Sequence, residues 1–202
     1  MNTPAVTEPN RCGWATAASG TDRTLMCDYH DREWGRPLRG QIAMFERMTL
    51  EAFQSGLSWL IILRKRENFR RAFAGFDVET IARYTERDVA RLLADPGIVR
   101  NRAKIEATIA NARTAADNDL DLSDLLWSHA PAPRPRPATF DAVPSQIPES
   151  VALARELRRL GFRFVGPTTA YALMQATGMV DDHVVDCWVP QVGIGTAGDK
   201  RQ

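Results

Sequence analysis

The stretch Leu160-Gly161-Phe162-Arg163-Phe164-Val165-Gly166 joins two segments of helical periodicity by a short turn, with a glycine at each end. One helix is predicted from about Glu149 to Leu160, where Gly161 ends it. The next begins with Pro167 at its first position and ends at Gly178. Because glycine permits unusual dihedrals and close approach of another backbone, we expect both glycines to shape this hairpin.

The start of the second helix has the properties of an anion site. Its free N–H groups and dipole favour negative charge, and Thr168 and Thr169 add hydroxyls. Arg163 lies in the turn, and other arginines precede it. The hairpin therefore fits one or two phosphates, although an ordinary connection between two helices has the same pattern.

The rest of the chain also shows helical periodicity and almost no strand pattern. The sequence therefore predicts an all-α fold. Thr85-Glu-Arg-Asp88 has the form of a capping box, and six prolines mark residues 130–148 as a surface loop. Asp181 or Asp182 can cap a last short helix that carries His183 and Cys187. The other predicted helices are 41–56, 58 to about 73, 85 to about 93, and 99–116.

Composition indicates a cytoplasmic protein with one domain, or one domain and a small lobe. The chain has 202 residues, of which 44% are hydrophobic, so it can bury a core. It has no apolar run long enough for a membrane span, and Met1–Pro9 lacks the apolar core of a signal peptide. Three cysteines do not suggest a disulfide framework. The net charge of +1 argues neither for nor against nucleic acid.

Cysteine and histidine occur near both ends of the chain. His183 and Cys187 are four residues apart, which places them on one side of a helix, and Cys12 and His30 lie near the start. Such a set suits a closed, structural zinc site. Cys27-Asp-Tyr-His30 also has a ligand-like spacing, so five candidates remain for four positions, and packed core residues are the plainer interpretation.

Seven ordered motifs between about residues 11 and 190 resemble the Tag-type 3-methyladenine DNA glycosylases, within the helix-hairpin-helix superfamily. They are Arg11-Cys-Gly-Trp14, Tyr29-His-Asp-x-Glu-Trp-Gly35, Gly56-Leu-Ser-Trp59, Lys65-Arg-Glu-Asn-Phe69, Gly161-Phe-x-Phe-Val-Gly166, Met174-Gln-Ala176 and Asp182-His-Val-Val-x-Cys187.

The resemblance implies three groups of functional residues. The implied zinc ligands are Cys12, His30, His183 and Cys187. The implied pocket for a flipped base has the carboxylate of Glu51, as the catalytic candidate, and the aromatic side chains of Trp59, Tyr29, Trp14 and Trp34. The expected DNA contacts of the hairpin are Gly161, Arg163, Gly166 and Thr168.

The resemblance also implies a reaction. A monofunctional glycosylase hydrolyses the N-glycosidic bond of 3-methyladenine in double-stranded alkylated DNA, releases the free base and leaves an abasic site. We expect one helical domain over residues 11–190, in one or two lobes, flexible tails at 1–10 and 191–202, and a monomer. The alternative from another class is a zinc-stabilised protein that binds damaged DNA without catalysis.

Two positions depart from the family pattern. Asp181 stands where Tag-type sequences commonly have Asn, at the position where other helix-hairpin-helix glycosylases keep a catalytic aspartate. It either restores that carboxylate or caps a helix, and we favour capping. Met26 replaces a usual tyrosine, so the pocket is expected to lose a hydroxyl.

Overall fold

The computed structural model describes residues 8–191, and every regular element in that range is helical. The all-α prediction is therefore confirmed. The α-helices are Gly13–Thr16 (α1), Gly20–Arg32 (α2), Gln41–Gln54 (α3), Trp59–Ala72 (α4), Val78–Ala82 (α5), Glu86–Ala94 (α6), Arg102–Asp117 (α7), Leu122–Trp127 (α8), Pro148–Leu160 (α9) and Pro167–Ala176 (α10), with short 3₁₀ helices at Ala74–Phe76 and Phe140–Ala142.

The helices with regular apolar spacing form where the sequence predicts them. α3 ends at Gln54, two residues early, and Gly56 then turns the chain with a φ of +79°. α6 begins with the predicted capping box, since the Asp88 carboxylate accepts a hydrogen bond from the Thr85 N–H at 2.9 Å. At these helices the capping side chains and the apolar spacing indicate the same boundaries, so the observed helix ends differ little from the predicted ones.

The predicted last helix over His183 and Cys187 is wrong, because residues 181–187 are irregular, with a turn at Val185 and Asp186. The Asp181 carboxylate binds Arg136 Nε at 2.9 Å and accepts from the His183 N–H at 3.3 Å. Asp182 binds Arg134 Nη2 at 2.7 Å. Side-chain bonds of this kind compete with helix formation, so neither aspartate caps a helix here.

Four helices were not predicted: α1, α2, α5 and α8. In α2 only Met26, Tyr29 and His30 are buried, and two of these three carry polar atoms. This helix therefore looks polar in sequence, and it is stabilised by what its buried face contacts in the fold.

The main core lies between α3, α4, α7, α9 and α10, with Phe53, Phe69 and Phe73 packed together in it. A second buried cluster joins the two ends of the described chain, and its members include Cys12, Tyr29 and Cys187. α9 and α10 pack against each other, and α10 also packs on α3. α10 thus connects the main core to the second cluster.

The segment after α2 docks on the end of α10. Gly35 N–H donates to the Gln175 carbonyl at 3.1 Å, and Leu38 N–H donates to the Thr177 carbonyl at 3.0 Å. Gly178 has a φ of +73°, and a Cβ there would lie 2.5 Å from the Arg36 carbonyl carbon. Only glycine fits this approach.

The predicted tails, 1–10 and 191–202, fall mostly outside the described residues. Within them, Asn10 bonds to the C-terminal segment, because its side chain donates to the Asp186 carbonyl at 2.9 Å. Among residues 8–191, no helix is long and apolar enough to cross a membrane.

Candidate active site and metal centre

An aromatic cavity of about 260 Å³ opens between α2, α3, α4 and α10. The structure brings all five predicted pocket residues to its wall: Glu51, Trp59, Tyr29, Trp14 and Trp34. The remaining lining residues are Met26, Gln54, Phe140, Ala172 and Gln175. A cavity of this size and lining can hold a planar base of one or two rings.

The aromatic rings of the wall support one another. The Tyr29 and Trp59 ring centroids are 5.2 Å apart, and those of Trp14 and Trp34 are 5.1 Å apart. The indole N–H groups of Trp14 and Trp59 are buried and have no hydrogen-bond partner among residues 8–191. Since buried donors are normally satisfied, these two groups are available to a ligand.

Glu51 supplies a carboxylate to a wall that is otherwise largely aromatic. The side chain is 5% exposed, and no hydrogen bond within residues 8–191 engages its oxygens. Burial raises the pKa of Glu51 from its ordinary 4.5 to about 7, and the positive charge of Arg47 limits the rise. The group is therefore poised to change its ionisation near neutral pH.

Arg47 is a charged residue beside the cavity wall that the sequence interpretation missed. It lies one turn before Glu51 on α3, is buried, and donates to the Tyr29 hydroxyl at 2.9 Å. Its other amino group contacts Glu33 at 3.5 Å, and Glu33 is itself held by Arg66 at 2.8 Å. The spacing of four between Arg47 and Glu51 was the signal that could have found it.

Met26 lies in the wall where the family pattern has a tyrosine, and its side chain is buried. The wall therefore has a thioether at this point, as the departure from the family pattern predicts. Phe140 reaches the rim of the cavity from the 3₁₀ helix of the proline-rich loop and is 42% exposed. No sequence pattern indicated that this loop would contribute to the cavity.

Four buried side chains form a compact Cys-His cluster: Cys12, His30, His183 and Cys187. All their ligand atoms lie within 4.8 Å of one another. The structure thus brings the predicted ligands together from both ends of the chain. Cys27 is not a member, and its thiol contacts the Ala15 carbonyl at 3.4 Å.

The spacing of the cluster fits a tetrahedral metal ion. Zn–S and Zn–N bonds of about 2.3 and 2.0–2.1 Å imply an S···N separation of about 3.6 Å. The observed distances are 3.6 Å from Cys12 Sγ to His183 Nδ1, and 3.5 Å from Cys187 Sγ to both His183 Nδ1 and His30 Nε2. Two thiols and two imidazoles in this arrangement can hold a divalent ion.

Each histidine of the cluster is oriented through its other ring nitrogen. His30 Nδ1 lies 2.8 Å from the Asp31 carboxylate, which Arg11 also binds. His183 Nε2 lies 3.3 Å from the Trp34 carbonyl. Burial lowers the pKa of both imidazoles, to about 4 for His183, so both are neutral and able to bind a metal.

The hairpin between α9 and α10 is a short surface turn. Gly161 has a φ of +103°, as its predicted role requires, whereas Gly166 has an ordinary extended φ of −70°. Gly166 therefore does not use the left-handed freedom of glycine, and the second left-handed residue of the hairpin is Phe164, with a φ of +56°. Arg163 and Thr168 are exposed at this turn. The helix-hairpin-helix assignment itself stays a prediction.

Asn111 on α7 fixes the hairpin and was also missed from sequence. Its side-chain oxygen accepts from the Arg163 N–H at 2.7 Å, and its amide nitrogen donates to the Arg163 carbonyl at 3.1 Å. Asn111 is buried, so these two bonds replace the ones that water would supply to the turn.

Comparison with known proteins supports one family. The profile of the methyladenine glycosylases matches residues 18–190. DNA-3-methyladenine glycosylase 1 of Escherichia coli (strain K12) is 42% identical over 183 residues, covering 88% of this chain and 95% of that protein. A crystal structure of a 3-methyladenine DNA glycosylase I matches at a TM-score of 0.82 and 42% identity, covering 89% of this chain and 98% of the other.

A second solved structure, from Staphylococcus aureus, is described as the structural basis of 3-methyladenine recognition by 3-methyladenine DNA glycosylase I. It has 32% identity and a TM-score of 0.82, and the match covers 91% of this chain and 98% of the other. With a family profile over most of the chain and relatives of this identity and coverage, the protein belongs to the methyladenine glycosylase family.

Proposed function

We propose that this protein is a monofunctional DNA-3-methyladenine glycosylase. It flips 3-methyladenine out of double-stranded alkylated DNA, hydrolyses the N-glycosidic bond, releases the free base and leaves an abasic site in an uncut strand. The observation that carries the proposal is the aromatic cavity with one buried carboxylate, in a chain of this family.

The charge of the lesion explains the residue types in the wall. An adenine alkylated at N3 is cationic while it is attached to the sugar, and aromatic faces attract a cation by about 0.5–2 kcal/mol each. Ionised Glu51 adds an opposite charge and can accept hydrogen bonds from the base edge. A normal adenine is neutral and gains neither benefit. The lesion also stacks poorly, so flipping costs less.

Bond cleavage transfers the lesion's charge from the base to the sugar. The electron pair of the bond between C1′ and N9 stays with the base, which leaves as neutral 3-methyladenine. Water then adds to C1′ and gives up one proton. We assign Glu51 as the catalytic residue, because its ionised form can stabilise the developing sugar cation or accept that proton. Its position in the wall and its pKa of about 7 support this role.

Arg47 suits the same reaction. Its positive charge favours the ionised form of Glu51. Because Arg47 is also a fixed cation near the cavity, it favours the neutral product base over the cationic lesion. Arg47 is partly balanced by Glu33, so it does not leave an isolated buried charge.

We propose that Cys12, His30, His183 and Cys187 bind one Zn²⁺. The agreement of the S···N distances with a tetrahedral site supports this assignment. Four protein ligands leave no open position, so the ion would hold the N- and C-terminal segments together without taking part in the reaction. Because Trp34 contacts His183 and also lines the cavity, the ion would stabilise that wall.

We propose that the hairpin binds the DNA backbone through Gly161, Arg163, Gly166 and Thr168. The exposure of Arg163 and Thr168 and the fixed turn support this role. We further propose one domain over residues 11–190, a monomeric protein and a cytoplasmic location.

Chromatography of bases released from methylated duplex DNA tests the proposal. We expect catalytic amounts of free 3-methyladenine and an intact strand. A Glu51→Gln variant should lose no more than about 100-fold, since the amide still accepts a hydrogen bond, and Glu51→Ala should lose more. Binding of methylated DNA without release of base would instead identify the non-catalytic, damage-binding alternative.

A further inference from the structure

Gln175 occupies a position in the cavity wall that the proposed chemistry does not yet use. It lies in the last turn of α10 and is half-buried. Its backbone carbonyl accepts from the Gly35 N–H at 3.1 Å, so both the helix and the docked segment hold this residue in place. Gln175 is among the residues that line the cavity. Its side-chain nitrogen donates to Asp182, and its side-chain oxygen has no hydrogen-bond partner among residues 8–191.

A buried carboxylate determines the orientation of the Gln175 amide. Asp182 is 1% exposed and does not line the aromatic cavity. Its oxygens accept from Arg134 Nη2 at 2.7 Å, from the Tyr171 hydroxyl at 2.5 Å and from Gln175 Nε2 at 2.9 Å. A carboxylate paired with an arginine is an acceptor only. The reversed amide would place two acceptors in contact, so the carbonyl oxygen of Gln175 is turned away from Asp182.

The cationic charge of the lesion cannot distinguish 3-methyladenine from 3-methylguanine, because both bases carry it. The two differ at C6, where adenine has an amino group with two N–H donors and guanine has a carbonyl acceptor, and at C2, where only guanine has an amino group. A wall group of fixed hydrogen-bond polarity that faces C6 can discriminate between them.

Resting on the proposed function, we propose that Gln175 is a specificity-determining residue whose side-chain carbonyl accepts a hydrogen bond from the 6-amino group of 3-methyladenine. Asp182 is the positioning residue that keeps this carbonyl directed to the base. In 3-methylguanine the C6 carbonyl would face the Gln175 carbonyl, and two acceptors cannot form a hydrogen bond with each other. A mismatch of this kind in a buried site changes relative rates by about tenfold or more.

Arg134 gives the proline-rich loop a part in the same arrangement. It comes from residues 130–148 and binds both Asp182 and the Tyr171 hydroxyl. Val185 N–H donates to the Pro137 carbonyl at 3.0 Å, which joins the loop to the segment that follows Asp182. The loop thus secures the carboxylate that orients Gln175.

The test is the ratio of 3-methyladenine to 3-methylguanine released from methylated duplex DNA by the zinc-loaded protein. In Asp182→Asn, the new amide can donate to Gln175, whose own amide can then turn its N–H₂ group to the base. We expect the ratio to fall about tenfold or more. Gln175→Leu removes the acceptor and should lower the ratio by a similar factor through slower release of 3-methyladenine.

Asp181→Asn is the matched control. It makes the same change one residue away, in the same metal-binding segment, but its carboxylate faces Arg136. We expect it to keep the wild-type ratio. Gln175→Leu leaves Asp182 and the metal-binding segment intact, so it tests the proposal even if Asp182→Asn loses zinc.

The experiment separates failure of the Gln175 role from failure of the proposed function. Release of 3-methyladenine with an unchanged ratio in both Gln175→Leu and Asp182→Asn would overturn the role of Gln175 and leave the proposed function standing. Absence of any released base from the wild-type protein would refute the proposed function, and this inference with it.

Discussion

Glu51→Gln should make the protein more stable at alkaline pH, because the wild-type carboxylate is buried among aromatic rings. Its pKa rises from 4.5 to about 7 on folding, chiefly by burial. The folded state therefore holds the proton of Glu51 more tightly than the unfolded state, and ionisation of Glu51 lowers stability as pH rises between these two values. A glutamine has the same shape and does not ionise.

The size of the effect follows from that interval. Since one pKa unit corresponds to about 1.4 kcal/mol, the full span between 4.5 and about 7 is about 3 kcal/mol. About 2 kcal/mol of it should appear between pH 5.5 and 8.5, where the folded-state carboxylate titrates. The gain in stability of Glu51→Gln over the wild type is absent below pH 4.5, grows through neutral pH and then becomes constant.

Urea unfolding of the zinc-loaded wild type and Glu51→Gln at several pH values between 5.5 and 8.5 measures this difference. Both proteins share every other titrating group, so the difference in the free energy of unfolding isolates Glu51. The same substitution at the exposed Glu79 supplies the baseline. A difference that stays constant over the whole pH range would refute the reasoning.

Three further predictions concern other parts of the molecule. Arg47→Met should raise the pKa of Glu51 further by about one unit or more, so base release should fall about fivefold at pH 7 and recover at higher pH; a pH profile unchanged in position would exclude the coupling. Gly166→Val should weaken binding to damaged and undamaged duplex alike while leaving thermal stability unchanged, because among residues 8–191 a Cβ there meets only Arg158 Nη2, at 3.6 Å; unchanged affinity would mean that the turn is only structural. Cys187→Ala should lose zinc and stability, whereas Cys27→Ala should keep the wild-type zinc content by elemental analysis, and zinc loss in the latter would overturn the ligand assignment.

The sequence predicted helices where apolar residues recur at regular spacing and where local chemistry marks the ends. α3, α9 and the capping box of α6 are examples. It failed where distant contacts decide the structure. α2 buries few apolar side chains, and arginines from a remote loop bind Asp181 and Asp182 in a segment that is not helical.

The candidate site shows the same division. Spacing alone left Cys27 and Cys12 as competing ligands, because the pairing joins residues 171 positions apart and only the folded chain brings them together. The family resemblance selected the pocket residues that line the cavity. It gave no indication of Arg47 or Asn111. The contacts of Arg47 depend on Tyr29 from another helix, and those of Asn111 depend on Arg163 in the hairpin turn.

The position of 3-methyladenine in a crystal of its complex with this protein tests the central claim most directly. We predict the base inside the aromatic cavity, with its ring against Trp59 or Tyr29 and its edge within hydrogen-bond distance of Glu51. Electron density for the base at any other site, with this cavity left empty at saturating concentration, would contradict the account.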